Sequence, residues 1–154
     1  MAPVSPCQGE TQDEKERYLK IALVVSDFNF DVTSLMLERA RSHVEFLGAE
    51  VSHVVHVPGV YDMPLIVKRL LGRSDVDGLA LIGAVIKGET KHDELIAGTT
   101  AAAAVDLALQ FNKPVGLGIT GPGMDRLQAL DRIDNAKNAV ESVVRMLKLQ
   151  KELA

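Results

Sequence analysis

Residues 83–94 read Gly83-Ala84-Val85-Ile86-Lys87-Gly88-Glu89-Thr90-Lys91-His92-Asp93-Glu94. Upstream, Val76 to Ile82 is an apolar run of strand length; downstream lies an Ala-rich segment long enough for a helix. The stretch therefore reads as a strand-to-helix turn, and in open α/β sheets ligands bind at such turns on the carboxyl ends of the strands. Thr90-Lys91-His92-Asp93 fits the S/T-x-x-D/E helix start, with Thr90 as cap. Gly88 lets the backbone approach a ligand closely, and the free N–H groups of the helix start attract an anion. His92 falls in the first helical turn, where an imidazole exchanges protons near neutral pH beside that anion.

Working outward, the first strand spans Tyr18 to Val25, apolar on both faces as a central parallel strand should be. Asp31 caps a helix from about Val32 to Leu47, which Gly48 ends. The second strand, Val51 to Val57, stops at Pro58-Gly59, and a helix follows from about Tyr61 to Leu71 with Pro64 in its first turn. The third helix runs from Lys91 to about Phe111. Pro114 opens the fourth strand, Val115 to Ile119; Thr120-Gly121-Pro122-Gly123 is a loop, and one last helix covers about Asp125 to Leu149. Its apolar stripe is Leu127, Leu130, Ile133, Ala136, Val140, Val143, Val144 and Leu147. The order is βαβαβαβα. Right-handed crossovers between parallel strands then give a three-layer α/β/α sandwich, and the expected sheet is flavodoxin-like, with four parallel strands in the order 2-1-3-4. Residues 1–17 read as a flexible arm and 18–154 as a single α/β domain.

The totals narrow the class. A chain of 154 residues holds one domain with a real core. Its net charge of −4 gives no electrostatic footprint for nucleic acid. No apolar run reaches the roughly 18 residues that span a bilayer, and the polar N-terminus lacks a secretory h-region. The single cysteine, Cys7, excludes an intramolecular disulfide and fits a reducing, cytoplasmic compartment. In the arm it reads as an incidental thiol.

Four strand-end turns fall along one edge of such a sheet. The first offers Phe28 beside Asn29, and the second offers Tyr61. In a chain with four Phe and two Tyr, aromatics at two of these turns favour stacking on a flat ring. Asp62 is either a favourable partner for a helix dipole or an acceptor for ligand hydroxyls. The third turn carries Lys87, Gly88, Glu89, Thr90 and His92; His43, His53 and His56 lack such neighbours and read as structural. Arg126, Arg132 and Lys137, after the fourth strand, are by themselves ordinary solvated cations. Rival chemistries lack their residues. There is no G-x-x-x-x-G-K-[ST] loop and no G-x-G-x-x-G after a strand. Ser26-Asp27-Phe28-Asn29-Phe30 is not the Thr/Ser/Gly-rich phosphate loop of a flavodoxin. Asp27 and Lys113-Pro114 suggest a phospho-receiver, but Ala84-Val85 stands where its acceptor Asp would be. No spacing resembles a metal site.

Taken together, Asp27-Phe28-Asn29, the run Val57 to Pro64, the opening motif and Leu127-Gln128-Ala129-Leu130-Asp131-Arg132 resemble the 6,7-dimethyl-8-ribityllumazine synthase family over about residues 18–149. Gly121-Pro122-Gly123-Met124 is similar to its archaeal branch. The resemblance implies condensation of 5-amino-6-(D-ribitylamino)uracil with 3,4-dihydroxy-2-butanone 4-phosphate, without a cofactor, in riboflavin biosynthesis. It assigns Phe28 to stacking on the pyrimidine, and Val60 and Tyr61 to the ring and ribityl pocket. Asp62 stands in place of a Glu that binds ribityl hydroxyls, and Val85 and Ile86 make backbone contacts to the pyrimidine. Gly88, Glu89, Thr90 and Arg132 take the phosphate; His92 moves protons. Lys137 and Lys87 fall at substrate-binding positions, Lys87 replacing an Arg common in bacterial members. Leu117 stands where many members use a neighbouring subunit's Phe to close the pocket.

The resemblance also implies homo-oligomers, either pentamers or 60-subunit icosahedral shells, with sites between subunits. Two rivals share the fold. An archaeal-type riboflavin synthase would need no phosphate site, and a non-catalytic shell or ligand-binding protein would need neither His92 nor Arg132.

Overall fold

In the computed structural model, residues 18–88 and 92–154 are described. Four parallel strands form the sheet: β1 (Lys20–Ser26), β2 (Glu50–Val57), β3 (Gly78–Ile86) and β4 (Val115–Met124). Their order is β2-β1-β3-β4, the order expected from the sequence. The helices are α1 (Phe30–Phe46), α2 (Met63–Leu71), α3 (His92–Phe111), α4 (Arg126–Asp131) and α5 (Asp134–Leu153). A 3₁₀ turn, Val60–Asp62, precedes α2.

The period of two along the central strands sorts the core into two layers. Ile21, Leu23 and Val25 of β1 face one side with Ala80 and Ile82 of β3, covered by α1 and α5. Ala22 and Val24 face the other with Leu79 and Leu81, covered by α2 and α3. Each fully buried Leu or Ile contributes roughly 1.5–3 kcal/mol relative to exposure, so the two central strands carry much of the stability. Helix α5 lies close to β4 because Gly116 has no side chain: a Cβ there would meet the Ala139 carbonyl oxygen at 2.5 Å.

Four expectations are corrected. Strand β3 does not stop at Ile82 but continues through Gly83-Ala84-Val85-Ile86. Strand β4 likewise continues through Thr120-Gly121-Pro122-Gly123, because Ile86 pairs with Met124 beyond a register shift. Proline is tolerated there since β4 is an edge strand. Helix α1 is capped by Asn29 in the left-handed conformation (φ 60°), with Asp31 in its first turn, rather than by Asp31. The single last helix is two, broken at Arg132–Ile133, and Leu127 of the expected stripe is exposed. The arm, with Cys7, lies outside the described residues, as does the Thr90 cap.

Candidate active site

The carboxyl ends of β1, β2 and β3 open onto a cleft of about 480 Å³. Its floor is apolar and buried: Val60, Ala84 and Val85 are each under a tenth exposed. Phe28 and Tyr61 stand over it, 72% and 64% exposed, so two large apolar surfaces meet solvent where a flat ligand would cover them. Asp62, Ile86, Gly88 and His92 complete the predicted members of the lining; Asn29, Pro58, Gly59, Ala84, Asp93 and Ile96 are additional.

Backbone bonds join the walls. The Asp27 N–H donates to the Val57 carbonyl (2.8 Å), and the Phe28 N–H to the Pro58 carbonyl (3.0 Å). The first turn is thereby stitched to the second. The Asp62 carboxylate accepts from the Gly59 N–H at 3.0 Å, closing the 3₁₀ turn that carries Val60 and Tyr61. Thr100 on α3 donates to the Val60 carbonyl (3.2 Å) from a buried position. On the third turn, the Lys87 N–H donates to the Met124 carbonyl (2.6 Å), while the Asp93 carboxylate accepts from the Gly123 N–H (2.9 Å). Lys87 and Asp93 are thereby both fastened to the extension of β4. Glu89 and Thr90, expected to bind phosphate, lie outside the described residues.

Asn29 connects three elements. Its amide nitrogen donates to the Ala84 carbonyl at 2.8 Å, and its amide oxygen accepts from Arg126 Nη2 at 3.1 Å. The other guanidinium nitrogen of Arg126 donates to the Asp31 carboxylate. That hydrogen bond, with the nearby positive charge, holds the Asp31 carboxyl below its ordinary pKa. Arg126 is therefore a paired cation and not a merely solvated one. At the adjoining rim, His56 Nδ1 lies 3.0 Å from the Asp27 carboxylate. His43 is buried and bonds Glu141 at 2.9 Å, and His53 lies 3.0 Å from the Ser52 hydroxyl, in keeping with structural roles.

Other expected site residues lie elsewhere. Lys87 is exposed beyond the end of β3 and does not line the cleft. Arg132, between α4 and α5, and Lys137 on α5 are exposed outside it. Leu117 is 54% exposed on the edge strand β4. Among the described residues of the lining, His92 is the single basic side chain. Also among the described residues, no group of three or more His, Cys, Asp or Glu side chains is placed to hold a metal, and no helix is long and apolar enough to cross a membrane. Asn29 and Asp93 were missed from sequence. The available signal was position: each sits at or beside a helix start, on a turn already marked as ligand-bearing.

Comparison with known proteins gives concordant matches. The family model for 6,7-dimethyl-8-ribityllumazine synthase matches residues 18–151. A protein of that name from Picrophilus torridus is 56% identical over 133 residues, covering 86% of this chain and 98% of the relative. One from Staphylothermus marinus is 55% identical over 135 residues, covering 87% and 90%. One from Sulfolobus acidocaldarius is 52% identical over 145 residues, covering 94% and 90%.

Proposed function

The chain belongs to the 6,7-dimethyl-8-ribityllumazine synthase family and condenses 5-amino-6-(D-ribitylamino)uracil with 3,4-dihydroxy-2-butanone 4-phosphate; we propose that it does so in the cleft at the ends of β1, β2 and β3. The observation that carries the assignment is the joining of Phe28, Tyr61, Asp62 and His92 around one apolar floor. In this reading Phe28 stacks on the pyrimidine ring, and Val60 and Tyr61 line the ring and ribityl space. The backbone of Val85 and Ile86 meets the pyrimidine edge. Asp62 spends one carboxylate oxygen on the Gly59 N–H and offers the other to ribityl hydroxyls. Gly88, with Glu89 and Thr90, receives the phosphate at the start of α3.

The chemistry suits these groups. The primary amine of the pyrimidine attacks the ketone, and water leaves to form an imine. Loss of a proton from carbon then expels phosphate, the chain rearranges, and ring closure releases water again. Every step moves a proton, and one releases an anion. Among the described residues of the lining, His92 carries the imidazole, the side chain suited to take and return protons as general acid and base. Arg132 stabilises the leaving phosphate by charge-assisted hydrogen bonds. Holding two small reactants side by side supplies a further large share of the acceleration. The balance of the reaction requires no oxidant or reductant.

Arg132, Lys137, Lys87 and Leu117 complete the site only if a second copy brings some of them to the cleft. We therefore read the protein as a homo-oligomer, a pentamer or a 60-subunit shell, with sites shared between neighbours. The exposure of Leu65 on α2, Leu95, Val105 and Leu109 on α3 and Leu117 on β4 supports this, since all five large apolar side chains are more than half exposed. The phosphorylated substrate does not cross a membrane unaided, which fits a cytoplasmic enzyme.

The test is to mix both substrates and follow lumazine absorbance together with phosphate release. Both are expected, in equal amounts. Turnover of lumazine alone would indicate a riboflavin synthase, and neither product a non-catalytic relative. Light scattering that gave a monomer under active conditions would overturn the shared site.

A further inference from the structure

We propose that Arg126 is a positioning residue for the pyrimidine half of the cleft: its guanidinium fork sets Asn29, and through Asn29 the spacing between Phe28 and the end of β3. The inference rests on the cleft being the active site. Arg126 does not line it. It is the first residue of α4, where a cation opposes the helix dipole, so the helix itself gives no reason for it. Its two terminal nitrogens instead reach across to α1 and the turn before it, one to the Asp31 carboxylate and one to the Asn29 amide oxygen at 3.1 Å. A planar fork can serve two acceptors in one fixed geometry, which a lysine ammonium on a flexible stem cannot.

The consequence falls on Asn29. A guanidinium has no acceptor, so the amide must present its oxygen to Arg126, which turns the NH₂ group towards the Ala84 carbonyl, 2.8 Å away. Asn29 also holds a left-handed backbone conformation, which asparagine tolerates better than branched or bulky residues do, and its two side-chain bonds fix the amide in that setting. Phe28 is the preceding residue. Arg126, Asn29 and Ala84 thus form one bridge, with the stacking ring at one end and the strand that supplies backbone to the pyrimidine at the other. The His92 side of the cleft is held independently, by the Gly123 N–H to Asp93. Loss of the arginine side chain should therefore loosen one half of the site and not the other.

Steady-state kinetics on the full assembled chain test this with Arg126→Leu, Arg126→Lys and Phe28→Ala, each first shown by light scattering to assemble as the wild type does. Arg126→Leu is expected to raise KM for the ribitylaminouracil about tenfold, in the range for losing a charge-assisted hydrogen bond, and to leave KM for the butanone phosphate within about twofold. An equal rise for both substrates, or none, would overturn the assignment. A lysine variant indistinguishable from wild type would also overturn it, since charge alone would then suffice; one resembling the leucine variant supports the fork. Phe28→Ala separates the two levels of the reasoning. If it raises the pyrimidine KM while Arg126→Leu does not, the cleft stands and the positioning role fails. If neither variant affects pyrimidine binding, the cleft is not the pyrimidine site.

Discussion

Gly83→Ala should damage both stability and pyrimidine binding, although it adds one methyl group far along a buried strand. A Cβ at Gly83 would lie 2.6 Å from Val60 Cγ2, 3.3 Å from Ser26 Oγ and 3.4 Å from Met63 Cε. The methionine end is flexible and can retreat. Val60 cannot do so freely: its side chain is β-branched and stiff at χ1, and its carbonyl is held by Thr100 at 3.2 Å. Restoring ordinary contact moves Val60 outward by nearly an ångström, and the 3₁₀ turn moves with it. Overpacking of this kind costs about 1–3 kcal/mol. A weakened Thr100 bond adds about 0.5–1.5 kcal/mol. Reduced freedom of the unfolded chain returns about 0.4–1 kcal/mol. The net is a loss of about 0.5–4 kcal/mol, which for a domain of this size lowers Tm by roughly 1–16 °C. Thermal unfolding at fixed protein concentration measures the first effect. Because Val60 and Tyr61 line the cleft, a rise in KM for the ribitylaminouracil, larger than that for the butanone phosphate, measures the second. A variant with wild-type Tm and wild-type KM values would show that the contact between β3 and the 3₁₀ turn does not shape the cleft.

His92→Ala should assemble and bind both substrates, with turnover reduced roughly 10–100-fold, at or below the low end for a lost general acid–base, because positioning survives; unchanged turnover would remove the proton-transfer role. Arg132→Ala should raise KM chiefly for the butanone phosphate, since a guanidinium grips phosphate through charge-assisted bonds; equal weakening of both substrates would reassign it. The Arg126–Asp31 pair predicts a pH dependence. The folded pKa of Asp31 lies below 3.8, so its contribution is complete above about pH 4 and disappears as pH falls through the lowered value. Urea midpoints of the wild type and Arg126→Leu should therefore differ more at neutral pH than in acid, where the Asn29 bond remains and the Asp31 pair is lost; a difference that did not change with pH would mean that the Asp31 pair adds nothing to stability.

The alternation of elements, the sheet order and the loaded edge of the sheet were legible in the amino-acid sequence. Apolar periodicity is a local property, and the handedness of parallel crossovers leaves few ways to arrange what it marks. Phe28, Tyr61, Asp62 and His92 could be nominated for the same reason: each sits on a turn, and the turns of such a sheet converge. Tertiary structure decided what local signals contradict or do not carry. Gly83 and the Thr120–Gly123 run look like strand breaks, yet both are strand, because pairing of β3 with β4 outweighs local propensity and an edge strand accepts proline. The apolar stripe runs on through Leu130 and Ile133, so the break between α4 and α5 has no mark in its period. Asp31 looks like a better cap than Asn29 until the Ala84 carbonyl and Arg126 are seen to fix the Asn29 side chain. Those partners lie 55 and 97 residues away in the chain, and Arg126 reads as a solvated cation until they are present. A sequence displays the preferences of each segment, but an ion pair or a shared cleft exists only once the sheet has brought distant turns to the same edge.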